Sequence, residues 1–453
     1  MRIERVPTGT DDWSGAASRS VRAPQANAAV GADPAPEILL FAVRIDNLDA
    51  IGETYGAAVA ERVSREVQGF FRQRLESARD LVGGVVGRSL AEFDLIVRGR
   101  AVPALMPRQG PFERIEAWMA AAARLPIPGP GWTAHVSLSW SYVEADDFCE
   151  DRELFDLLLA EARGRLPGLV RSPLALGAER AVRDMAAAAA LYAELNAAGL
   201  QFAWQPVCGL DGDTVLYLRA FIAAPGRDGQ IEDRQSDYRA MERQGLAQAF
   251  DQALVAQAVE HLARCDNTHS VCMAVSASSF RSSAWWDSIL ARLGCDRALA
   301  RRLFIAIDCA QCFVSAGEAV AFADRLRRCG ARIVLEGLGS GQIAISTLIA
   351  LRPDVVTLDA LFLRLAAPRE PDEQLFRRIV SLASALAPAV VVEGVEDAAR
   401  AACALEAGIH WGIGSHLAQP SWRGPSRTGS GAAQVSAFGA LPQYFSSRRE
   451  GSQ

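Results

Sequence analysis

Val390-Val391-Val392-Glu393-Gly394-Val395-Glu396 is the stretch that decides the fold. A β-branched apolar run ends abruptly in a carboxylate, a glycine and a second carboxylate. A strand buried on both faces of a parallel sheet has this pattern, here with an acidic group at its carboxyl end. In a β/α barrel the carboxyl ends of the strands are where chemistry is done. Glu393 is therefore a candidate functional group, provided that other strands deliver partners to it.

Working outward from this strand, the preceding sequence alternates between two periods. Strands are expected near Phe202–Val207, Thr214–Phe221, Cys272–Ser276, Leu303–Ile307, Arg332–Leu335, Val355–Leu358 and Val390–Glu393. Helices are expected near Gly245–Leu262, Ser282–Leu293, Ala316–Cys329, Ile343–Ala350, Glu373–Leu386 and Ala398–Ala407. Strands separated by helices give a parallel sheet, and this many repeats favour a closed, TIM-like α/β barrel over residues 200–422. The first two strands, joined across Asp211 to Asp213, are expected to be antiparallel. Residues 171–199 read as a connector helix.

Residues 36–170 read as a separate α+β unit. A strand (Ile38–Ile45) is followed by a helix with Val59, Val63, Val67, Phe71 and Leu75 at four-residue spacing. A hairpin (Leu81–Val86 with Phe93–Val97), a helix (Phe112–Leu125), a strand (Trp132–Val143) and a helix (Arg152–Arg165) complete it. Residues 1–35 and 423–453 lack periodicity, are rich in small and polar residues, and are expected to be disordered.

Composition excludes several classes of function. The chain of 453 residues is 50% hydrophobic and 22% charged, with a net charge of −6 and both signs interspersed. Nothing in that balance attracts nucleic acid or an anionic membrane. There is no lysine: all 47 basic residues are arginine. A Schiff-base lysine, a phosphate-loop lysine and a lysine general base are thereby excluded. No apolar run is long enough to span a bilayer and the first residues lack a signal-peptide core, so a cytoplasmic protein with reduced cysteines is expected. Cys309-Ala310-Gln311-Cys312 has redox-motif spacing, but no other redox signature accompanies it.

The strand ends resemble those of the EAL domain, the barrel that hydrolyses the bacterial messenger cyclic di-GMP. Five segments are in register. Trp204-Gln205-Pro206-Val207 resembles the opening aromatic-Gln-Pro segment, and Glu336-Gly337-Leu338-Gly339-Ser340-Gly341 resembles the Asp-Asp-Phe-Gly-Thr-Gly loop. Asp354 to Asp359 resembles the strand carrying Lys-Ile-Asp, Glu393-Gly394-Val395-Glu396 matches Glu-Gly-Val-Glu, and Trp411-Gly412-Ile413-Gly414 through Pro420 resembles the closing segment. The amino-terminal unit similarly resembles a GGDEF domain: Arg44-Ile45-Asp46-Asn47 and Thr54-Tyr55-Gly56 match in place, but the signature hairpin reads Ser89-Leu90-Ala91-Glu92-Phe93.

The resemblance implies a two-metal phosphodiesterase site, and most of its ligands are replaced. The Glu-Ala-Leu position reads Arg219-Ala220-Phe221, and a guanidinium repels a metal. The Asn position is Ser276 and the next Glu falls at Cys309, with Asp308 beside it as a substitute one register step away. The lysine position is Thr357. Asp308, Glu336, Asp359 and Glu393 are what remains of a metal site, and would serve Mg²⁺ or Mn²⁺ only if residual phosphodiesterase activity survives. The residue reading places Arg219 against Glu336 or Glu393, in the space vacated by metal.

A degenerate tandem protein is therefore expected, without catalysis and requiring no cofactor. Its role would be that of a cyclic di-GMP receptor or a protein-interaction module in bacterial signalling. Gln205, Arg219, Glu393 and Pro420 are the candidate ligand contacts. The alternatives are a residual metal-dependent phosphodiesterase and a pure scaffold that binds no nucleotide. The resemblance also implies a homodimer contact near Leu335 to Gly341. The sequence does not identify a protein partner.

Overall fold

The computed structural model describes residues 36–422, apart from 79, 101–109, 146–151, 170–176, 212–213, 227–229, 266–268, 312, 340–342 and 367–369. The two terminal segments expected to be disordered lie outside the described residues. The chain divides into two compact units. One runs up to Ala190 and includes Arg243–Ala249 and Ser283–Trp285; the other holds Leu191–Glu242, Phe250–Ser282 and the chain from Trp286 on.

The first unit begins with β1 (Pro36–Ile45), α1 (Leu48–Tyr55), α2 (Ala57–Ser77), β2 (Leu81–Gly87), β3 (Glu92–Arg100) and α3 (Pro111–Ala123). It continues with β4 (Ile127–Gly129), β5 (Trp132–Ala134), β6 (Leu138–Ala145) and α4 (Arg152–Gly164). The four-stranded sheet has the order β2-β3-β1-β6, and every pair in it is antiparallel. Val63, Val67, Phe71 and Leu75 of α2 bury against one face of the sheet with Phe41, Val43, Phe93 and Leu95. Leu158, Leu159 and Ala162 of α4 cover Ile38, Leu40 and Val143 on the other. The alternation of β1 thus feeds two cores, which explains why its residues from Ile38 to Val43 are all buried.

The expected single strand over Trp132–Val143 is broken in the structure. Among the described residues β5 pairs only with β4, and β6 pairs with β1. The break has a local cause: the Asn47 amide donates to the His135 carbonyl at 3.0 Å and accepts from the Ser137 N–H at 2.8 Å. These bonds satisfy backbone groups that a continuous ladder would have used.

α5 (Ala178–Asn196) leads toward the barrel elements. These are β7 (Gln201–Gly209), β8 (Val215–Pro225), β9 (Ile231–Asp233), α6 (Gln235–Arg243), α7 (Ala247–Arg264) and β10 (Val271–Val275). A short 3₁₀ turn precedes α8 (Asp287–Cys295), α9 (Arg297–Ala300), β11 (Leu303–Asp308), α10 (Ala316–Cys329), β12 (Arg332–Leu338) and α11 (Ile345–Leu351). The last elements are β13 (Val355–Leu358), α12 (Ala360–Ala366), α13 (Glu370–Leu386), β14 (Ala389–Glu393), α14 (Ala398–Glu406) and β15 (Trp411–Ile413).

The sheet runs β10-β11-β12-β13-β14-β15-β7-β8, and β8 pairs with β10 to close an eight-stranded barrel. β9 hangs on the edge of β8. β10 to β15 are parallel, while β7 is antiparallel to both neighbours. The interior is packed with buried, mostly apolar side chains: Val207, Tyr217, Cys272, Phe304, Ala306, Val334, Val355, Ala389, Val391 and Ile413 fill it. Helix signals are clear where they matter. Ser315 and Asp397 accept N–H bonds that start α10 and α14, and Gly330 at φ 110° ends α10 in the left-handed conformation. The sequence reading does not include α6, α12 or β15, whose short lengths leave little periodicity to read.

Candidate functional site at the barrel mouth

Inward-facing residues of a parallel strand share one parity, so the interior layer predicts what reaches the mouth. Tyr217 precedes Arg219 by two on β8, Val334 precedes Glu336 by two on β12, and Val391 precedes Glu393 by two on β14. Phe304 and Ala306 likewise lead to Asp308 on β11, and Val207 on β7 shares its parity with Gln205. The strands therefore deliver these five polar side chains to one end of the barrel.

Arg219, Glu336 and Glu393 converge. The Arg219 guanidinium meets Glu336 with both ends of its fork, Nε to Oε1 at 3.0 Å and Nη2 to Oε2 at 3.1 Å. Its Nη1 donates to Glu393 Oε1 at 3.3 Å. The bidentate arrangement is the stronger of the two contacts. Glu336 is 8% exposed, so its charge needs this partner. The adjacent Glu336 carboxylate is the main force holding the Arg219 proton more tightly than usual, with Glu393 adding to it and burial opposing. Burial pushes the Glu393 carboxyl above its ordinary value, against the pull of Arg219 and with Glu336, Asp359 and Asp308 adding repulsion. The two directions reflect one arrangement: a single cation shared by two acids satisfies the bidentate partner first.

Asp308 stands at the end of β11, in register with Glu336. Its carboxylate accepts from Arg239 Nη2 at 2.5 Å and from the Ala310 N–H at 2.8 Å. Cys309 is buried and its thiol is pushed up to about 12; Cys312 lies outside the described residues. Asp359, just past β13, takes the Leu361 N–H at 2.7 Å at the start of α12 and acts on Glu393 only as a neighbouring charge. Thr357 is buried beneath it and hydrogen-bonds Tyr217 inside the barrel.

Gln205 lies opposite Arg219 in the β7–β8 ladder and donates from Nε2 to the Ala418 carbonyl at 3.3 Å. Pro420 is half-buried, and the chain beside it is tied down by a two-way bridge between Trp204 and Ser421 at 2.9 and 3.0 Å. Gln205 and the closing segment thus belong to one hydrogen-bonded rim. Gly394 follows Glu393 at φ 80°, and a Cβ there would come within 2.7 Å of Ala360 Cβ. The glycine allows the chain to turn sharply away and leaves Glu393 at the strand end.

A second polar cluster was not foreseen from sequence. Asp251 of α7 is fully buried and accepts from the Tyr238 hydroxyl at 2.5 Å and from the Ser276 N–H at 3.0 Å. Burial raises its carboxyl to about 7. Gln311 donates to Glu242 at 2.5 Å and accepts from the Ala277 N–H at 2.8 Å. Tyr238, Arg239 and Glu242 all come from α6, and an amphipathic reading of residues 235–243 would have been the signal for them.

The site does not suit a pair of divalent cations. Two metals need several carboxylates with free oxygens. Here an arginine already sits between Glu336 and Glu393, and another holds Asp308. Among the described residues, no three His, Cys, Asp or Glu side chains are grouped to hold a metal ion. No helix among those residues is long and apolar enough to cross a membrane.

Residues 188–420, just over half of the chain, match the EAL domain model. No curated protein matches the chain. Among solved structures, the S helix-GGDEF-EAL form of Vibrio cholerae LapD bound to c-di-GMP is 17% identical, covers 83% of this chain and 88% of its own, and has a TM-score of 0.45. The Xanthomonas citri FimX EAL domain in complex with c-di-GMP is 22% identical, covers 56% of this chain and 97% of its own, and has a TM-score of 0.45. An EAL domain protein of Listeria monocytogenes is 17% identical, covers 50% and 91%, and has a TM-score of 0.43.

Proposed function

This chain belongs to the EAL domain family, and from that premise we propose that it is a non-hydrolytic member that acts in cyclic di-GMP signalling as a receptor. The observation that carries the reading is the Arg219 bridge. A guanidinium engaged with Glu336 on two nitrogens and with Glu393 on a third stands between two acids that a metal-dependent hydrolase needs free. An ion pair of this kind leaves no room for a metal-activated water and supplies no general base.

Binding places smaller demands on the site. A cyclic dinucleotide presents phosphates and guanine edges, which call for hydrogen-bond donors and acceptors on a rigid rim. Gln205, Glu393 and the segment ending at Pro420 supply that rim. Arg219 has five N–H groups, of which those not spent on the two acids remain to meet a phosphate oxygen. The amino-terminal unit, read as a degenerate GGDEF-like domain over residues 36–170, serves in this proposal as a second module without synthase chemistry.

The test is calorimetric titration of the full chain with cyclic di-GMP, with and without Mg²⁺ or Mn²⁺, paired with an assay for linear product. Binding without turnover, weakened by Glu393→Ala, is the expected result. Metal-dependent turnover abolished by Glu393→Ala would establish a phosphodiesterase instead. Absence of heat under all conditions would leave a scaffold that binds no nucleotide.

A further inference from the structure

The sheet of the first unit ends in β2, and among the described residues β2 is hydrogen-bonded only to β3. The direction of its free groups follows from one bond. Arg88, just past β2, donates its N–H to the Glu92 carbonyl at 3.0 Å. Antiparallel alternation from that point turns the N–H and C=O of Leu81, Gly83, Val85 and Gly87 toward the unpaired side. Natural edge strands are usually blunted by a charge, a proline or a bulge. β2 reads Leu-Val-Gly-Gly-Val-Val-Gly and contains neither a charge nor a proline, and its ladder to β3 runs without a register shift.

One face of this strand is open as well. Val82 is 72% exposed and Val86 47% exposed, two alternations apart on the same face. Gly84 lies between them, and a Cβ added there would meet nothing within 4 Å. Packing within the unit therefore does not require a glycine at this position. The charges sit just outside the strand, with opposite signs. Asp80 precedes it and Arg88 follows it, both exposed. Among the described residues each makes one ion-pair contact within its own unit: Asp80 with the half-buried Arg114 at 2.7 Å, and Arg88 with the buried Asp94 at the long distance of 3.8 Å.

Asp80 to Arg88 is thus self-complementary about Gly84. We propose that β2 pairs antiparallel with β2 of a second copy of this chain, across a two-fold axis at Gly84. Val82 of one copy then stands opposite Val86 of the other, and Asp80 opposite Arg88, twice by symmetry. Leu81 meets Gly87 and Gly83 meets Val85 as the hydrogen-bonded pairs, which are the residues whose backbone groups face outward. Sliding the register by two residues keeps the backbone bonds but loses both ion pairs. Parallel pairing would set Asp80 on Asp80 and Arg88 on Arg88. The charges therefore select one register and one direction, and two four-stranded sheets join into one. A contact of this extent belongs with transient interfaces, so the dimer should be reversible.

Sedimentation velocity of the full chain over a concentration series measures this directly. The wild type is expected to shift from monomer to dimer, with a dissociation constant in roughly the micromolar range. Arg88→Asp faces two like-charged pairs and should abolish the shift, while the swap Asp80→Arg with Arg88→Asp should restore it. Gly84→Cys supplies an independent readout. A residue on the axis faces itself at a non-hydrogen-bonded position, with Cα atoms about 4.5 Å apart, a separation that accepts a disulfide. Under mild oxidation Gly84→Cys should give a covalent dimer, and Val82→Cys, displaced from the axis, should not exceed the wild-type background. If Arg88→Asp fails to fold, the cysteine pair decides alone. A wild type that stays monomeric up to about 100 µM overturns the proposal. So does a dimer that is indifferent to Arg88→Asp, or a Gly84→Cys chain that crosslinks no faster than Val82→Cys.

Discussion

Arginine meets acid at a strand end in both units, and the two cases differ in reach. In the first unit Arg44 and Asp46 share β1 and its exit turn, two residues apart, with the Arg44 Nε 2.6 Å from Asp46 Oδ1; the Ser139 hydroxyl also donates to Asp46, at 2.5 Å. In the barrel Arg219 of β8 reaches Glu336 on β12 and Glu393 on β14, which lie 117 and 174 residues further along the chain. The first pair is a local adjustment with a neutral donor in reserve. The second is a tie between strands, and its acids have no such reserve against each other. An ion pair's importance here depends on what its removal strands, more than on its length.

That difference predicts an order of effects. Arg219→Ala leaves the buried Glu336 and the half-buried Glu393 carboxylates facing one another and should cost about 2–3 kcal/mol in urea unfolding, at the lower end for a broken buried pair because the guanidinium is partly exposed. Arg44→Ala leaves Asp46 its Ser139 bond, removes a 2.7 Å bond to the Pro167 carbonyl as well, and should cost about 1 kcal/mol. Equal losses would erase the distinction between tie and local pair. Arg219→Glu sharpens it further by converting the bridge into a third acid. Mn²⁺ should then raise the melting temperature of this variant by about 3 °C or more, while leaving the wild type unchanged.

His135 of the first unit and Asp251 of the second should also respond to pH in opposite directions. Burial holds the His135 imidazole down at about 4, and raises the Asp251 carboxyl to about 7. For His135 the folded state binds its proton less readily than the unfolded chain. Its contribution is complete above the ordinary value of 6.5 and is lost as pH falls from there through about 4. For Asp251 the folded state holds the proton more tightly, so its contribution is complete below the ordinary value of 3.8 and is lost as pH rises through about 7. Hydrogen exchange resolved by segment should show β5 losing protection on acidification and β10 losing it as pH rises from 5 to 8. A uniform response in both segments would count against these assignments. The smallest effect should come from Arg239→Ala. Its pair with Asp308 is exposed on the arginine side and should be worth under about 1 kcal/mol, read as a small change in urea midpoint.

The strand ends were legible because burial leaves little choice of residue. A run such as Val390 to Val392 has one structural use, and the acid after it marks the carboxyl end. The encounter of Arg219 with Glu336 and Glu393 was equally legible, since a cation among retained acids has few other partners. α6 was not. Its nine residues are mostly polar, and while their amphipathic pattern marks a short helix, it does not say that Arg239 would hold Asp308 and Tyr238 would hold Asp251. Nor did the sequence reveal the break between β5 and β6. The Asn47 amide that causes it lies 88 residues from His135, and a side chain competing for backbone bonds leaves no periodic trace.

The same long reach of Arg219 bears on the order in which the barrel assembles. Its bridge to Glu393 cannot form until β14 is in place beside a β8 that folded far earlier in the chain, and β7 must still wait for β15 at Trp411 and Gly412. Contacts of such sequence separation are closed late, after the entropy of the intervening loop has been overcome. Arg219 is therefore a latch on the finished ring and contributes little to the nucleus. Its loss should appear mainly as faster opening of the barrel, with the folding rate nearly unchanged.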